Sequence, residues 1–316
     1  MNIKQKPRNT AAVRSNLLLV LTAFIWGVAF VAQSVGMDYV GPFTFNASRN
    51  IIAPIVLLPF IVLTGRRNRD LETVARGAEE EGLPGGTGKG NARTLLLAGF
   101  LSGTALCVAS CFQQYGIMTS TVGKSGFITA LYILIVPLLG LFVGKRVGRR
   151  IWISVGIAVI GLYLLCMAES LSFSTGDIFL LLCALCFSFQ ILIVDYYSPR
   201  VNGIHMAALQ FLVSGIISSI LALAFEQPTP ASILAAWKPI LYAGAMSSAV
   251  GYTLQIIAQK DTDPVIASLL MSLESAFSLL AGWVILGQHL SSRELSGCAL
   301  MFLAIMLAQI PEKKTQ

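Results

Sequence analysis

Ten stretches of about 20 residues, nearly free of charge, recur along the whole chain: about 17–36, 43–64, 94–115, 121–143, 150–168, 176–197, 203–225, 237–258, 264–286 and 293–310. At about 1.5 Å per helical residue, each is long enough to cross a hydrocarbon layer about 30 Å thick. Backbone inside such a layer must satisfy its own hydrogen bonds, which leaves helices or a closed barrel. The runs are continuous rather than alternating, so helices are predicted. Composition agrees, with 12% charged residues against roughly 25% in a soluble protein. The expected fold is an all-α polytopic membrane protein with ten transmembrane helices. The basic flank Lys4, Lys6, Arg8 and Arg14 ahead of the first run resembles a secretory signal. The run is too long for one, and no small-x-small cleavage site follows, so it reads as a retained span.

Connections between the runs are mostly short, as suits antiparallel neighbours. Residues 65–93 differ: both charge signs and a glycine-rich tail predict a mobile, solvated loop. Within it, Gly85-Gly86-Thr87-Gly88-Lys89 imitates a phosphate-binding loop. The required glycine five residues before the Gly-Lys pair is Leu83, and the required Ser or Thr after the lysine is Gly90. Nucleotide binding is not expected there.

A net charge of +7 raises the question of nucleic acid, and the placement of the charges answers it. With the N-terminus cytoplasmic, 18 of the 22 Lys and Arg fall on the inner side; Arg49, Lys124, Lys238 and Arg293 remain on the outer side. Such asymmetry is the signature of membrane orientation. Both termini are expected in the cytoplasm, in the cell (inner or plasma) membrane, with no nucleic-acid partner.

The chain also resembles itself. Leu96-Leu97-Ala98-Gly99-x-x-Ser102 returns as Leu241-Tyr242-Ala243-Gly244-x-x-Ser247, and Gln114 meets Gln259. With two residues dropped, Val122, Ser125, Gly144, Val147 and Arg150 fall on Val265, Ser268, Gly287, Leu290 and Arg293. Five is odd, so a second five-helix copy enters the membrane upside down. The predicted organisation is a tail over 1–16, a first repeat over 17–168 and a second, inverted repeat over 176–311. Inverted repeats are typical of secondary transporters, whose site lies near the midplane between the halves.

One carboxylate stands out. Glu274 lies ten residues into the ninth run, about 15 Å deep and roughly at the middle of the hydrocarbon. A charge there costs several kcal/mol unless it faces protein or water. Glu274 either binds a substrate amine or a coupling proton, or serves as a structural partner to a lysine or to backbone donors. Lys124, about one turn inside span 4, either attracts anionic solutes or snorkels to the interface. Arg49, two turns into span 2, reads as an interhelical anchor with a substrate contact as the alternative. Gln255 and Gln259 are i, i+4 and share a helix face. With Gln114 they either line a cavity or tie helices together; Gln190 and Gln210 carry the same ambiguity. Gly140-x-x-x-Gly144 is a close-packing signature for spans 4 and 5 or for a dimer. The six cysteines, Cys183-x-x-Cys186 included, read as small apolar residues inside helices, with no second pair to complete a metal site.

Several motifs together resemble the EamA-type transporters of the drug/metabolite transporter superfamily. They are Phe24-Ile25-Trp26-Gly27-x-x-Phe30, Ser48-Arg49-Asn50, Gly123-Lys124-Ser125-Gly126-Phe127-x-Thr129-x-Leu131-Tyr132 with Pro137, and Tyr252-x-x-Gln255-x-x-x-Gln259-Lys260 followed by Ser272-Leu273-Glu274 and Leu286-Gly287. The chain departs from the family in having Ser275 where Pro often follows the glutamate, and Gly287-Gln288-His289 where Gly-Glu-Arg often ends the span. The resemblance implies a ten-helix carrier of small organic solutes (amino acids, amines or related compounds), often outward, without ATP hydrolysis. Trp26 and Phe30, i and i+4, have the spacing of packing aromatics; the resemblance raises the alternative, an aromatic wall for a ligand, to nearly equal standing. The candidate substrate-binding set is therefore Glu274, Gln259, Gln255, Gln114, Trp26, Phe30, Lys124 and Arg49, with no catalytic residue, metal or cofactor. Expected partners are a small-molecule solute, the lipid bilayer and a coupling proton or ion; the oligomeric state stays open between monomer and homodimer. Two rival functions are a non-transporting membrane scaffold or sensor, and an intramembrane lipid-modifying enzyme. The enzyme would need clustered His, Asp or Ser-Lys groups, whereas His205 and His289 both sit near span ends.

Overall fold

The structure is a computed structural model that describes residues 8–79, 90–120, 122–142, 144, 147–166, 174–287 and 291–309. Long helices form wherever the apolar runs occur. They are α1 (Arg8–Gly36), α2 (Pro42–Glu79), α3 (Gly90–Met118), α4 (Val122–Ala130), α5 (Tyr132–Phe142), α6 (Arg149–Cys166), α7 (Thr175–Tyr197) and α8 (Gly203–Phe225). Then come two short helices, α9 (Pro230–Ala235) and α10 (Trp237–Leu241), a π-helical stretch (Tyr242–Gly251) and α11 (Tyr252–Gln259). The chain ends with α12 (Pro264–Met271), α13 (Glu274–Leu286) and α14 (Ser292–Gln309). Among the described residues, eight helical segments are long and apolar enough to cross a membrane. The 18-residue helices α6 and α14 pack on each other.

Burial confirms the solvent these helices are built for. Ile55, Leu223 and Val284 are 63%, 75% and 72% exposed, while Asn46, Asn50, Gln114, Gln210 and Gln255 are fully buried. An apolar exterior around a polar interior suits a surrounding of hydrocarbon and would be an aggregation hazard in water. Polar side chains then join helices from within, as in the 2.8 Å bond from Asn50 Nδ2 to Ser214 Oγ between α2 and α8.

The helices differ from the sequence expectation in four places. Helix α2 runs on to Glu79, and α3 begins at Gly90, where a loop is expected over 65–93. Arg, Leu, Glu and Ala dominate 65–79 and favour helix, while the run of Gly and Pro begins only at Gly82. Residues 80–89, which contain the glycine-lysine decoy, lie outside the described residues.

Span 4 is two helices divided at Leu131, whose N–H turns to the i−3 carbonyl of Ile128 at 3.2 Å; Pro137, which has no N–H to give the ladder, follows nearly two turns later. Span 9 divides at Ser272-Leu273, where backbone bonds tighten to i−3 and Ser272 Oγ bonds the Leu269 carbonyl at 2.8 Å. Such back-bonding weakens helical continuity. Span 8 widens into its π-helical stretch, whose small residues admit close neighbours. A Cβ on Gly244 would lie 2.9 Å from the Arg49 carbonyl oxygen, and one on Gly251 would lie 2.7 Å from Trp26 Nε1.

Packing sets the centre of the molecule. The most extensive contacts join α3 to α7 and α8, α6 to α14, α2 to α8, and α1 to α13. Helix ends are closed by local chemistry: Ser174 and Asp177 form a capping box on α7, Asn202 caps α8, and Asp263 caps α12 ahead of Pro264.

Candidate functional site

A cavity that gathers most of the candidate residues lies in the interior. Helix α1 contributes Trp26, Phe30 and Gln33 from one face; α2 contributes Arg49 and α3 Gln113. Thr129 and Tyr132 flank the break in span 4, Phe187 and Gln190 come from α7, and Ser247, Tyr252 and Gln255 come from span 8. Glu274 completes the lining. Its volume is about 30 Å³, room for about two waters.

Glu274 is 4% exposed and is the first residue of α13. The break before it frees backbone N–H groups at a helix N-terminus, where the helix dipole favours negative charge. Tyr132, the first residue of α5, donates its hydroxyl to Glu274 Oε1 at 2.9 Å. The two interrupted spans therefore meet through the residues that restart them. Ser275 Oγ adds a second tie, donating to the Gly126 carbonyl at 2.9 Å.

Arg49 is 3% exposed. Nη1 donates to Gln33 Oε1 at 3.0 Å and Nη2 to Ser110 Oγ at 2.9 Å, while Nε is buried without a partner. The guanidinium thus links α1, α2 and α3 and also lines the cavity.

The aromatic wall is held from behind. Trp26 Nε1 donates to the Ser247 carbonyl at 3.3 Å, and its ring lies 4.5 Å from that of Tyr252. Tyr252 is packed in turn by Phe211 at 5.4 Å. Gly27 lets α13 approach: a Cβ there would lie 2.5 Å from Phe277 Cβ.

Of the eight residues named from sequence, Trp26, Phe30, Arg49, Gln255 and Glu274 come together around this cavity, and three stand elsewhere. Gln259 donates Nε2 to the Ile191 carbonyl at 3.2 Å, one turn past Gln255, which donates to Gln190 Oε1 at 3.3 Å. Gln114 is fully buried, and its neighbour Gln113 takes the lining position. Lys124 Nζ forms an ion pair with Asp177 Oδ2 at 2.6 Å. Gln33 was missed, although its place seven residues after Trp26 and three after Phe30 puts it on the same helical face. Among the described residues, no group of three or more His, Cys, Asp or Glu is arranged to hold a metal.

The Lys124–Asp177 pair lies at one end of the bundle. There Glu226, following α8, accepts from the Phe43 and Thr44 amides at 2.8 Å each and caps α2. A relay of rings crosses the same end. Phe43 lies 6.0 Å from Phe225 and 5.5 Å from Tyr115, and Tyr115 lies 5.8 Å from Phe179.

A chain of apolar helices around a buried polar cavity is the build of a membrane transporter, and comparison with known proteins agrees. The sequence matches the EamA-like transporter family over residues 13–167 and again over 174–309. The chain belongs to that family, within the drug/metabolite transporter superfamily, and is a transporter of some small solute rather than an enzyme. It is 28% identical over 301 residues to an uncharacterized transporter of Archaeoglobus fulgidus, covering 94% of this chain and 86% of that one. A chloroplastic WAT1-related protein of Arabidopsis thaliana is 25% identical over 313 residues, covering 93% and 69%. An uncharacterized transporter of Synechocystis is 25% identical over 329 residues, covering 97% and 92%. A protein crystal structure superposes with a TM-score of 0.70 at 17% identity, covering 93% of this chain and 96% of the other, a likeness of fold.

Proposed function

We propose that this protein is a secondary transporter that moves a small organic metabolite, an amino acid, amine or related solute, out across the cytoplasmic membrane by alternating access. The reading takes ten spans as two inverted five-helix halves, with both termini cytoplasmic. Several observations support the inverted halves. Exchanging spans 1–5 with 6–10 turns the α3–α7 contact into that of span 8 with α1, and leaves the α2–α8 and α6–α14 contacts in place. Spans 4 and 9 break at matching positions, after the helices that start at Val122 and Pro264, and each ends at a glycine of positive φ: Gly144 at 78° and Gly287 at 66°. Interrupted helices at the interface of two repeats are where secondary transporters bind solute.

The observation that carries the reading is the buried Glu274, presented at such a break to the central cavity. A cavity of about 30 Å³ is too small for an organic solute, so transport requires the facing helices to separate. A coupling proton is the natural second ligand of that carboxylate. The test is flux in proteoliposomes supplied with a labelled mixture of amino acids and amines. Glu274→Gln, folded and inserted, is expected to abolish it; full flux would remove Glu274 from the mechanism. Absence of flux for every solute in the wild type would favour the scaffold or sensor reading.

A further inference from the structure

Span 8 carries an irregularity that its counterpart lacks. Where span 3 matches it in sequence, with Ser102 at Ser247 and Cys107 at Tyr252, α3 is α-helical throughout. Span 8 is π-helical from Tyr242 to Gly251 and returns to α geometry at Tyr252. Its consequence is visible in the cavity. Ser247 and Tyr252 are five residues apart, and both line it. In an α-helix, residues five apart point about 140° away from each other. Where backbone bonds close i→i+5, residue i+5 takes the place that i+4 holds in an α-helix, about 40° from residue i. The π-helical stretch therefore puts Ser247 and Tyr252 on one face, with Gln255 beyond them.

Such stretches are rare, and helix α1 holds this one from outside. Trp26 Nε1 donates to the Ser247 carbonyl at 3.3 Å. Its indole occupies space that Gly251 leaves open, since a Cβ there would lie 2.7 Å from Nε1. Thr22 Oγ1 lies 3.3 Å from the Gly251 carbonyl and 2.9 Å from the Leu18 carbonyl, so its one proton is shared between them. At the other end of the stretch, the Tyr242 hydroxyl donates to the Ile25 carbonyl at 3.1 Å. We infer that Trp26, with Thr22 in support, is a positioning residue: it holds span 8 in its π-helical register, and that register presents Tyr252 and Gln255 to the cavity. Without the strut, the stretch closes as ordinary α-helix. Closure draws every later residue back by one place, so Gly251 stands where Tyr252 stood and Leu254 where Gln255 stood. The cavity then exchanges a phenol ring and an amide for a glycine and a leucine. This role differs from that of a wall touching solute, because Trp26 acts through span 8.

The test reads geometry, so it does not depend on whether any solute crosses. In a full-length background without native cysteines, Gln190→Cys is combined with Gln255→Cys or with Leu254→Cys and treated with a short bifunctional thiol reagent. Gln255 Nε2 lies 3.3 Å from Gln190 Oε1, so the first pair is expected to link readily. Leu254 is about 100° further round the helix, so the second is expected to link poorly. Trp26→Phe keeps a ring against Tyr252 and removes the donor. It is expected to shift linking about fivefold from the Gln255→Cys pair toward the Leu254→Cys pair, the weight of one buried hydrogen bond. Gly251→Ala, whose methyl meets the indole, is expected to produce the same shift with Trp26 intact. Thr22→Val should give a smaller shift, and Thr22→Ser, which keeps the hydroxyl, none. Folded Trp26→Phe and Gly251→Ala proteins that link both pairs as before overturn the inference. So do variants that weaken both pairs alike, the pattern of a loosened α1 contact with no change of register. Neither result bears on the Glu274→Gln flux test, which stands or falls alone.

Discussion

Replacing Lys124 by methionine separates an ion pair from a solute attractor. Its ammonium lies 2.6 Å from Asp177 Oδ2, with the lysine side chain 18% exposed and the aspartate side chain fully buried. Lys124→Met keeps an unbranched side chain one atom shorter, removes the ammonium and leaves the Asp177 carboxylate enclosed. Breaking a buried pair from one side costs about 3–5 kcal/mol. Asp177 retains the Ser174 amide at 2.8 Å, which places the expected loss near the lower figure, about 3 kcal/mol. Asp177→Asn should cost only about 1 kcal/mol, because the partly exposed lysine can extend toward water. The double variant should resemble Asp177→Asn alone, giving a coupling energy of about 2–3 kcal/mol. Thermal unfolding in a fixed detergent reads this as a midpoint lowered by on the order of 5 °C in Lys124→Met and largely restored in the double variant. Additive losses would show that the pair is not coupled. A Lys124→Met protein of normal stability with no flux would return Lys124 to the role of solute attractor.

Two further expectations follow from packing and orientation. Gly27→Val forces a side chain into the 2.5 Å approach to Phe277 Cβ and into Phe277 backbone at 2.8 Å, so it should destabilise the α1–α13 contact by about 1–3 kcal/mol and lower the thermal midpoint; an unchanged midpoint would show that the helices separate without cost. In a background without native cysteines, Ser170→Cys should react with a membrane-impermeant thiol reagent on intact cells and Thr87→Cys should not; the reverse pattern would invert the topology.

Much of this architecture was legible because the bilayer imposes length and apolarity on every span, and those are visible one residue at a time. The helix breaks were less so. Pro137 announces irregularity in span 4, but Ser272 loosens span 9 through a side-chain bond to Leu269 that is optional in any helix. Within the site, Glu274 was visible as the lone acid in an apolar run, and Trp26 and Phe30 by their spacing. Gln113 and Gln114 are neighbours, and only the rotation of α3 decides which one faces the cavity. Gln33 and Ser110 were hidden because their importance comes from Arg49, to which neither is adjacent in sequence. The partner of Lys124 lies 53 residues away, so its pairing is a product of the fold and not of local pattern.

The most direct test of alternating access locks the end of the bundle where Lys124 meets Asp177. In the cysteine-free background, Lys124→Cys/Asp177→Cys is joined by a short reducible bifunctional thiol reagent, and flux of the labelled amino acid and amine mixture is followed in proteoliposomes. The cross-linked protein is expected to be silent and to regain flux when the link is reduced. Undiminished flux through the linked protein would mean that solute crosses without this end opening, and would contradict the account.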